Sequence, residues 1–270
     1  VRRPRFLDYY RQFEALSPED DALRLRARRD EEKAKALAVT PVLDLSRSEW
    51  HEPPDPEVIN AATYAMRRAI NRYPDPGGGA AREAVASRHG VDVQQVALGH
   101  GAAQLMQAAL REAAYGEEVV IAWPSWGPLP ALAARAGATP VPVELDPAGV
   151  VDLEAMAAAV GERARAVVIC SPNDPTGALV DPDDLRRFAT GLPENVLVAL
   201  DEALVDFPGE EASAVGLVAG LPNLLVFRSF SKAWAMAGYR AGYAVGPPEL
   251  SELLGRMTPG LGVATPTLAA

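Results

Sequence analysis

The chain holds 270 residues, 49% hydrophobic and 23% charged, a balance that supports at least one sizeable core and argues against disorder. Its 36 acidic residues outnumber 26 basic ones, for a formal charge of -10 that repels nucleic acid and anionic membrane and leaves small molecules as the expected partners. The single cysteine, Cys170, cannot close an internal disulfide. No Cys/His cluster has metal-ligand spacing, no apolar run is long enough to span a bilayer, and the arginine-rich start is not followed by the apolar core of a signal peptide; the reading is a soluble, cytoplasmic protein without metal.

Residues 6–38 are dense in charge, with Leu16, Leu23, Leu25 and Leu37 interspersed, which predicts surface helix broken at Ser17-Pro18. Thr40 to Pro56, rich in proline and acid residues, reads as an extended entry, and a helix follows from Pro56 to about Asn71. The chain therefore divides into a charged helical segment, 1–40, and a main domain, 41–270. From Val96 onward short apolar runs alternate with helical stretches: Val96–Leu98, Val119–Trp123, Val141–Leu145, Ala166–Cys170, Val196–Leu200, Leu224–Phe227 and Ala241–Val245, with Ala-rich helices at 102–114 and 131–138. Runs that are apolar at every position, not every second one, belong to strands covered on both faces, so the fold class is α/β with a mostly parallel central sheet between helices.

In such sheets ligands bind beyond the carboxyl ends of the strands, which directs attention to the residues just after each run. Val96–Leu98 leads into Gly99-His100-Gly101-Ala102-Ala103, where the free N–H groups of a helix start can seat a phosphate, although a glycine pair before a helix is more often only a turn. After Val119–Trp123 comes Trp126, whose indole can stack on an aromatic ring. After Ala166–Cys170, Ser171-Pro172-Asn173-Asp174-Pro175-Thr176-Gly177 fixes a tight loop that aims the Asn173 amide into the crevice. Asp201, after Val196–Leu200, can pair with a protonated pyridine nitrogen, though alone it reads as well as a loop acid. After Leu224–Phe227 comes Arg228-Ser229-Phe230-Ser231-Lys232, followed at 237–243 by Ala-Gly-Tyr-Arg-Ala-Gly-Tyr. Here a lysine amine can condense with an aldehyde, while hydroxyls and an arginine fork hold a phosphate. Each element alone loses to a bland alternative, but together they suit different atoms of one molecule.

Their order resembles the pyridoxal-phosphate (PLP) dependent aminotransferases of class I/II, fold type I, nearest to the histidinol-phosphate aminotransferase branch. The resemblance rests on Arg72-Tyr73-Pro74-Asp75, Pro172-Asn173-Asp174-Pro175-Thr176-Gly177, Asp201-Glu202-Ala203 and Ser231-Lys232 with Ala-Gly-x-Arg at 237–240, and it runs from about Leu43 to the C-terminus. It implies PLP as cofactor, with Lys232 forming the Schiff base and moving the proton at the substrate carbon, and Asp201 holding the ring nitrogen. It further implies that Asn173 holds the ring oxygen, that Ser229, Ser231 and Arg240 bind the phosphate with backbone groups at Ala102 and Ala103, and that Trp126 covers the ring face. The implied reaction moves an amino group between an amino acid, or an amino-alcohol phosphate, and a 2-oxo acid or aldehyde in a homodimer. A decarboxylase of threonine-phosphate type and a non-catalytic PLP-binding domain are the alternatives. The family usually continues Asp-Glu-Ala with a tyrosine, where this chain has Leu204, and its C-terminal small domain, with the arginine that grips the substrate carboxylate, lies outside this chain.

Overall fold

The computed structural model describes residues 18–39 and 48–270, which fall into two units meeting at Ser48/Glu49. In the first, helix α1 spans Pro18–Val39, and its charged side chains over 22–37 are exposed, as a sequence without a continuous apolar stripe requires. The expected helix ahead of Ser17 and residues 40–47 of the extended entry lie outside the described residues.

In the second unit the apolar runs become seven strands: β1 (Val96–Gly99), β2 (Glu118–Trp123), β3 (Thr139–Glu144), β4 (Ala164–Cys170), β5 (Leu197–Asp201), β6 (Leu224–Ser229) and β7 (Gly242–Val245). They form one sheet in the order β1-β7-β6-β5-β4-β2-β3, in which β7 alone runs against its neighbours. The helices are α2 (Pro56–Ala69), α3 (Gly79–His89), α4 (Ala102–Ala114), α5 (Leu129–Arg135), α6 (Leu153–Ala159), α7 (Pro182–Gly191), α8 (Ser251–Met257) and α9 (Thr265–Ala269). Several starts are written locally. Asp55 and Asp181 accept N–H groups of the first turns of α2 and α7, each with a proline at the first helical position, and Asp75 does the same for the loop entering α3 through Gly77 and Gly79.

Successive strand residues point to opposite faces, and two apolar clusters divide the sheet accordingly. Val167, Ile169, Val198, Leu200 and Val226 join side chains of α3, α6 and α7, whereas Val168, Cys170, Ala199, Leu225 and Phe227 join those of α4, α5 and α8. Burial on both faces is why the runs are continuously apolar.

The start of α4 is drawn onto the sheet by glycines. Gly99 and Gly242 sit opposite each other in the β1–β7 ladder, and Gly242 also faces Ser229 of β6. A Cβ on Gly242 would lie 2.4 Å from the Ala102 backbone nitrogen, and one on Gly99 would lie 2.6 Å from Leu105 Cγ. Gly242→Ala must therefore push α4 off the sheet. The expected cost is about 1–3 kcal/mol, read as a lowered midpoint in thermal or urea unfolding.

Candidate active site

Parity along the strands sends Cys170, Asp201 and Ser229 to the α4 side, at the carboxyl ends of β4, β5 and β6. Asp201 is buried, with Oδ1 accepting the Ala203 N–H at 2.9 Å and Oδ2 4.0 Å from the Cys170 sulfur. Burial raises its pKa to about 6, against the pull of the Ala203 N–H and the Lys232 charge. Cys170 is buried too, and burial beside Asp201 pushes its thiol far up, which makes it an inert wall of the site. A buried carboxylate at a strand end is costly unless a cation joins it, so this position suits a protonated ring nitrogen.

Lys232 is half-buried in the turn after β6, and its charge acts on Asp201. In the same turn Ser229 Oγ accepts the Ser231 N–H at 3.1 Å, and Ser231 Oγ accepts from Arg240 Nη1 at 3.2 Å. Arg240 takes up a left-handed backbone with φ of 54°, which carries its guanidinium over Gly101: a Cβ there would lie 2.6 Å from Nη2. Gly101 has φ of 84° and immediately precedes the first turn of α4. The Ser231 hydroxyl and the Arg240 fork are thus held together over Gly101, beside the opening turn of α4, with Ser229 tied into the same turn. Hydroxyls, a guanidinium and the N–H groups of a helix start are the donors that suit a phosphate.

Asn173 is fully buried, pinned by the loop that Gly177 turns with φ of 74°. Its Oδ1 accepts the Ser125 hydroxyl, while Nδ2 donates to Thr176 Oγ1 at 3.0 Å and to Pro124 O at 3.2 Å. Both amide hydrogens are engaged within the protein, so serving a ring oxygen requires Nδ2 to release the longer bond to Pro124. Leu204 is half-buried in the turn after β5 and offers no hydroxyl in compensation. Trp126 is half-buried beside this loop; its backbone N–H points to the Cys170 sulfur, which places the residue at the β2–β4 end of the crevice. His100 is exposed at the loop surface.

Sequence reading passed over one feature. Glu202 and Arg228, each next to a proposed site residue, are among the most buried side chains and form an ion pair at 2.9 Å. The signal was available: in a strand whose residue i faces the crevice, i+1 or i−1 faces the opposite layer, and charged residues there need a partner. Among the described residues no group of three or more His, Cys, Asp or Glu can hold a metal ion, and no helix is long and apolar enough to cross a membrane.

Comparison with known proteins gives the same direction. The chain is 41% identical over 219 residues to an aromatic amino acid aminotransferase of Cutibacterium acnes, a stretch covering 79% of this chain and 61% of that protein. It is 45% identical over 206 residues to the aromatic amino acid aminotransferase of Corynebacterium jeikeium, covering 74% and 53%. Its fold is similar to the crystal structure of histidinol-phosphate aminotransferase from Sinorhizobium meliloti in complex with pyridoxal-5'-phosphate, with a TM-score of 0.76 and 28% identity over 82% of this chain and 61% of that one. The chain thus spans about three-fifths of the length of these relatives. With the family model for aminotransferase class I and II matching residues 40–270, the chain belongs to that family.

Proposed function

We propose that this chain carries the cofactor half of a PLP-dependent transaminase whose amino donors are aromatic amino acids. The observation that carries it is the buried Asp201 carboxylate, under the charge of Lys232, at the same strand-end edge as the anion seat of Ser229, Ser231, Arg240 and the start of α4. The relatives' names favour transamination over decarboxylation, and aromatic donors over amino-alcohol phosphates.

When bound, PLP supplies an electron sink for the pair left on a substrate carbon that loses its proton. The chain's own residues do the rest. Lys232 would hold the cofactor through its amine and would carry the proton to and from the substrate carbon. Asp201 holds a proton on a ring nitrogen. Arg240 with Ser229, Ser231 and the N–H groups of α4 would hold the phosphate end, and Trp126 would cover the ring face. By resemblance the reading extends to a homodimer, and with the single thiol to the cytoplasm.

The test is an absorbance titration of the purified protein with PLP, followed by phenylalanine, tyrosine, histidinol phosphate and aspartate as donors. A visible band that aromatic donors bleach, with a 2-oxo acid restoring it, is the expected result. A band bleached only by histidinol phosphate or aspartate overturns the aromatic assignment, and the absence of a band overturns the cofactor.

A further inference from the structure

Behind the site, on the opposite face of the sheet, lies a second constellation. Because neighbouring strand residues point to opposite faces, Asp201 and Ser229 open towards α4 while Glu202 and Arg228 turn towards α3. There Arg228 Nη1 donates to Glu202 Oε2 at 2.9 Å, with both side chains 1% exposed. The other arm, Nη2, donates to Glu210 Oε2 at 2.9 Å and to Asp206 Oδ1 at 3.2 Å. Ser213 ties the pair together, donating to Glu202 at 2.8 Å and accepting from Arg228 at 3.0 Å, while the second Glu202 oxygen takes the Ala214 N–H at 2.5 Å.

Stability alone is a poor reason for this arrangement. A buried ion pair seldom outperforms apolar side chains of the same volume. Here burial lifts the Glu202 carboxyl above its usual range in spite of the Ala214 N–H and the Arg228 charge, and Arg228 Nε finds no hydrogen-bond partner among the described residues. What the pair supplies is position. The β5–β6 ladder ends with Asp201 opposite Phe227, after which the Glu202 N–H still donates to Phe227 O at 2.9 Å. The guanidinium is a side-chain cross-link between the two strand ends just beyond that point. Glu202 is joined to Asp201, and Arg228 to Ser229, by a single peptide unit, which couples the back face directly to the front.

We propose that Arg228 and Glu202 are positioning residues that set the separation between Asp201 and the Ser229–Lys232 turn, and so the fit of the cofactor. This rests on the PLP reading above. The experiment compares the parent protein, Glu202→Gln and Glu210→Gln by PLP titration, by the pH at which the visible band changes, and by thermal unfolding. Glu210→Gln removes the same charge from the half-exposed rim of the network while leaving the Arg228–Glu202 bond in place. Expected for Glu202→Gln is a rise in the PLP Kd of about ten-fold or more, with a displaced band midpoint, and for Glu210→Gln less than half of either change. Where Glu202→Gln does not fold, the double variant Glu202→Gln with Arg228→Gln, which removes the two most buried charges of the network together, is read in the same way. Unfolding at lower temperature with an unchanged Kd and midpoint overturns the proposal and leaves the pair structural; equal effects from both single variants overturn it in favour of charge alone. No band in the parent protein overturns the cofactor reading, and this one with it.

Discussion

Lys232→Ala is expected to abolish the visible band with PLP and to lower transamination by at least about 10²–10⁴-fold, the range contributed by a positioned acid–base group. The loss is expected to exceed that range where the covalent attachment itself matters, since the alanine variant can hold the cofactor only through Asp201 and the phosphate seat. The fold is expected to survive, because Lys232 is half-buried in a turn outside both apolar clusters. Unfolding of the variant without cofactor is therefore the internal control: a midpoint near that of the parent protein, with the band gone, assigns the defect to chemistry. A band of parental wavelength and strength in Lys232→Ala would sink the assignment, whatever the activity.

The sheet was legible because burial on both faces leaves an unbroken apolar run in each central strand, and all seven strands fall on runs read from the sequence. The exceptions have physical causes. The run read at Val141–Leu145 corresponds to β3, which begins two residues earlier at Thr139 and includes Pro140 and Pro142. They are tolerated because β3 lies at the edge and pairs with β2 alone. The helix read at 131–138 instead spans Leu129–Arg135, capped by Ala136 and stopped by Gly137 with its φ of 87°. The reversal of β7 leaves no mark in its own composition. Its one trace is the short connection from Ser229 to Gly242, which holds turns and a 3-10 segment where a parallel crossover needs a full helix. Of the site, the strand-end residues were legible one by one, and their joint order by resemblance. The bond from Asn173 to Pro124, 49 residues away, and the pairing of Glu202 with Arg228, 26 residues away, were not: parity marks Glu202 and Arg228 as charges in need of a partner without saying which.

Asp201→Asn is expected to move stability and activity in opposite directions. With a folded-state pKa of about 6, set by burial, Asp201 binds its proton more tightly in the folded chain than in the unfolded one. Its contribution to stability is thus fully present below the unfolded value near ~3.9 and is lost as pH rises through about 6. At pH 7 the cofactor-free protein bears the whole cost of a buried carboxylate, on the order of 2–3 kcal/mol for a shift of about two units. Asparagine relieves that cost and can still accept the Ala203 N–H, so the unliganded variant is expected to unfold at higher temperature above pH 6 and to match the parent protein more closely at pH 4. The cofactor reverses the balance, because a protonated ring nitrogen compensates the ionised carboxylate that the empty chain can barely sustain. Affinity of the parent protein for PLP is expected to fall as pH drops below about 6, by up to about ten-fold per unit, and this limb is expected to vanish in Asp201→Asn. Turnover is expected to fall by roughly 10²–10³-fold, the scale for losing one preorganised group at a developing charge. Differential unfolding at pH 4 and 7, with PLP titrations across the same range, reads both signs. A variant that is less stable at pH 7 than the parent protein, or that keeps the acidic limb of PLP binding, would show that Asp201 supports the fold and leaves the ring nitrogen to another group.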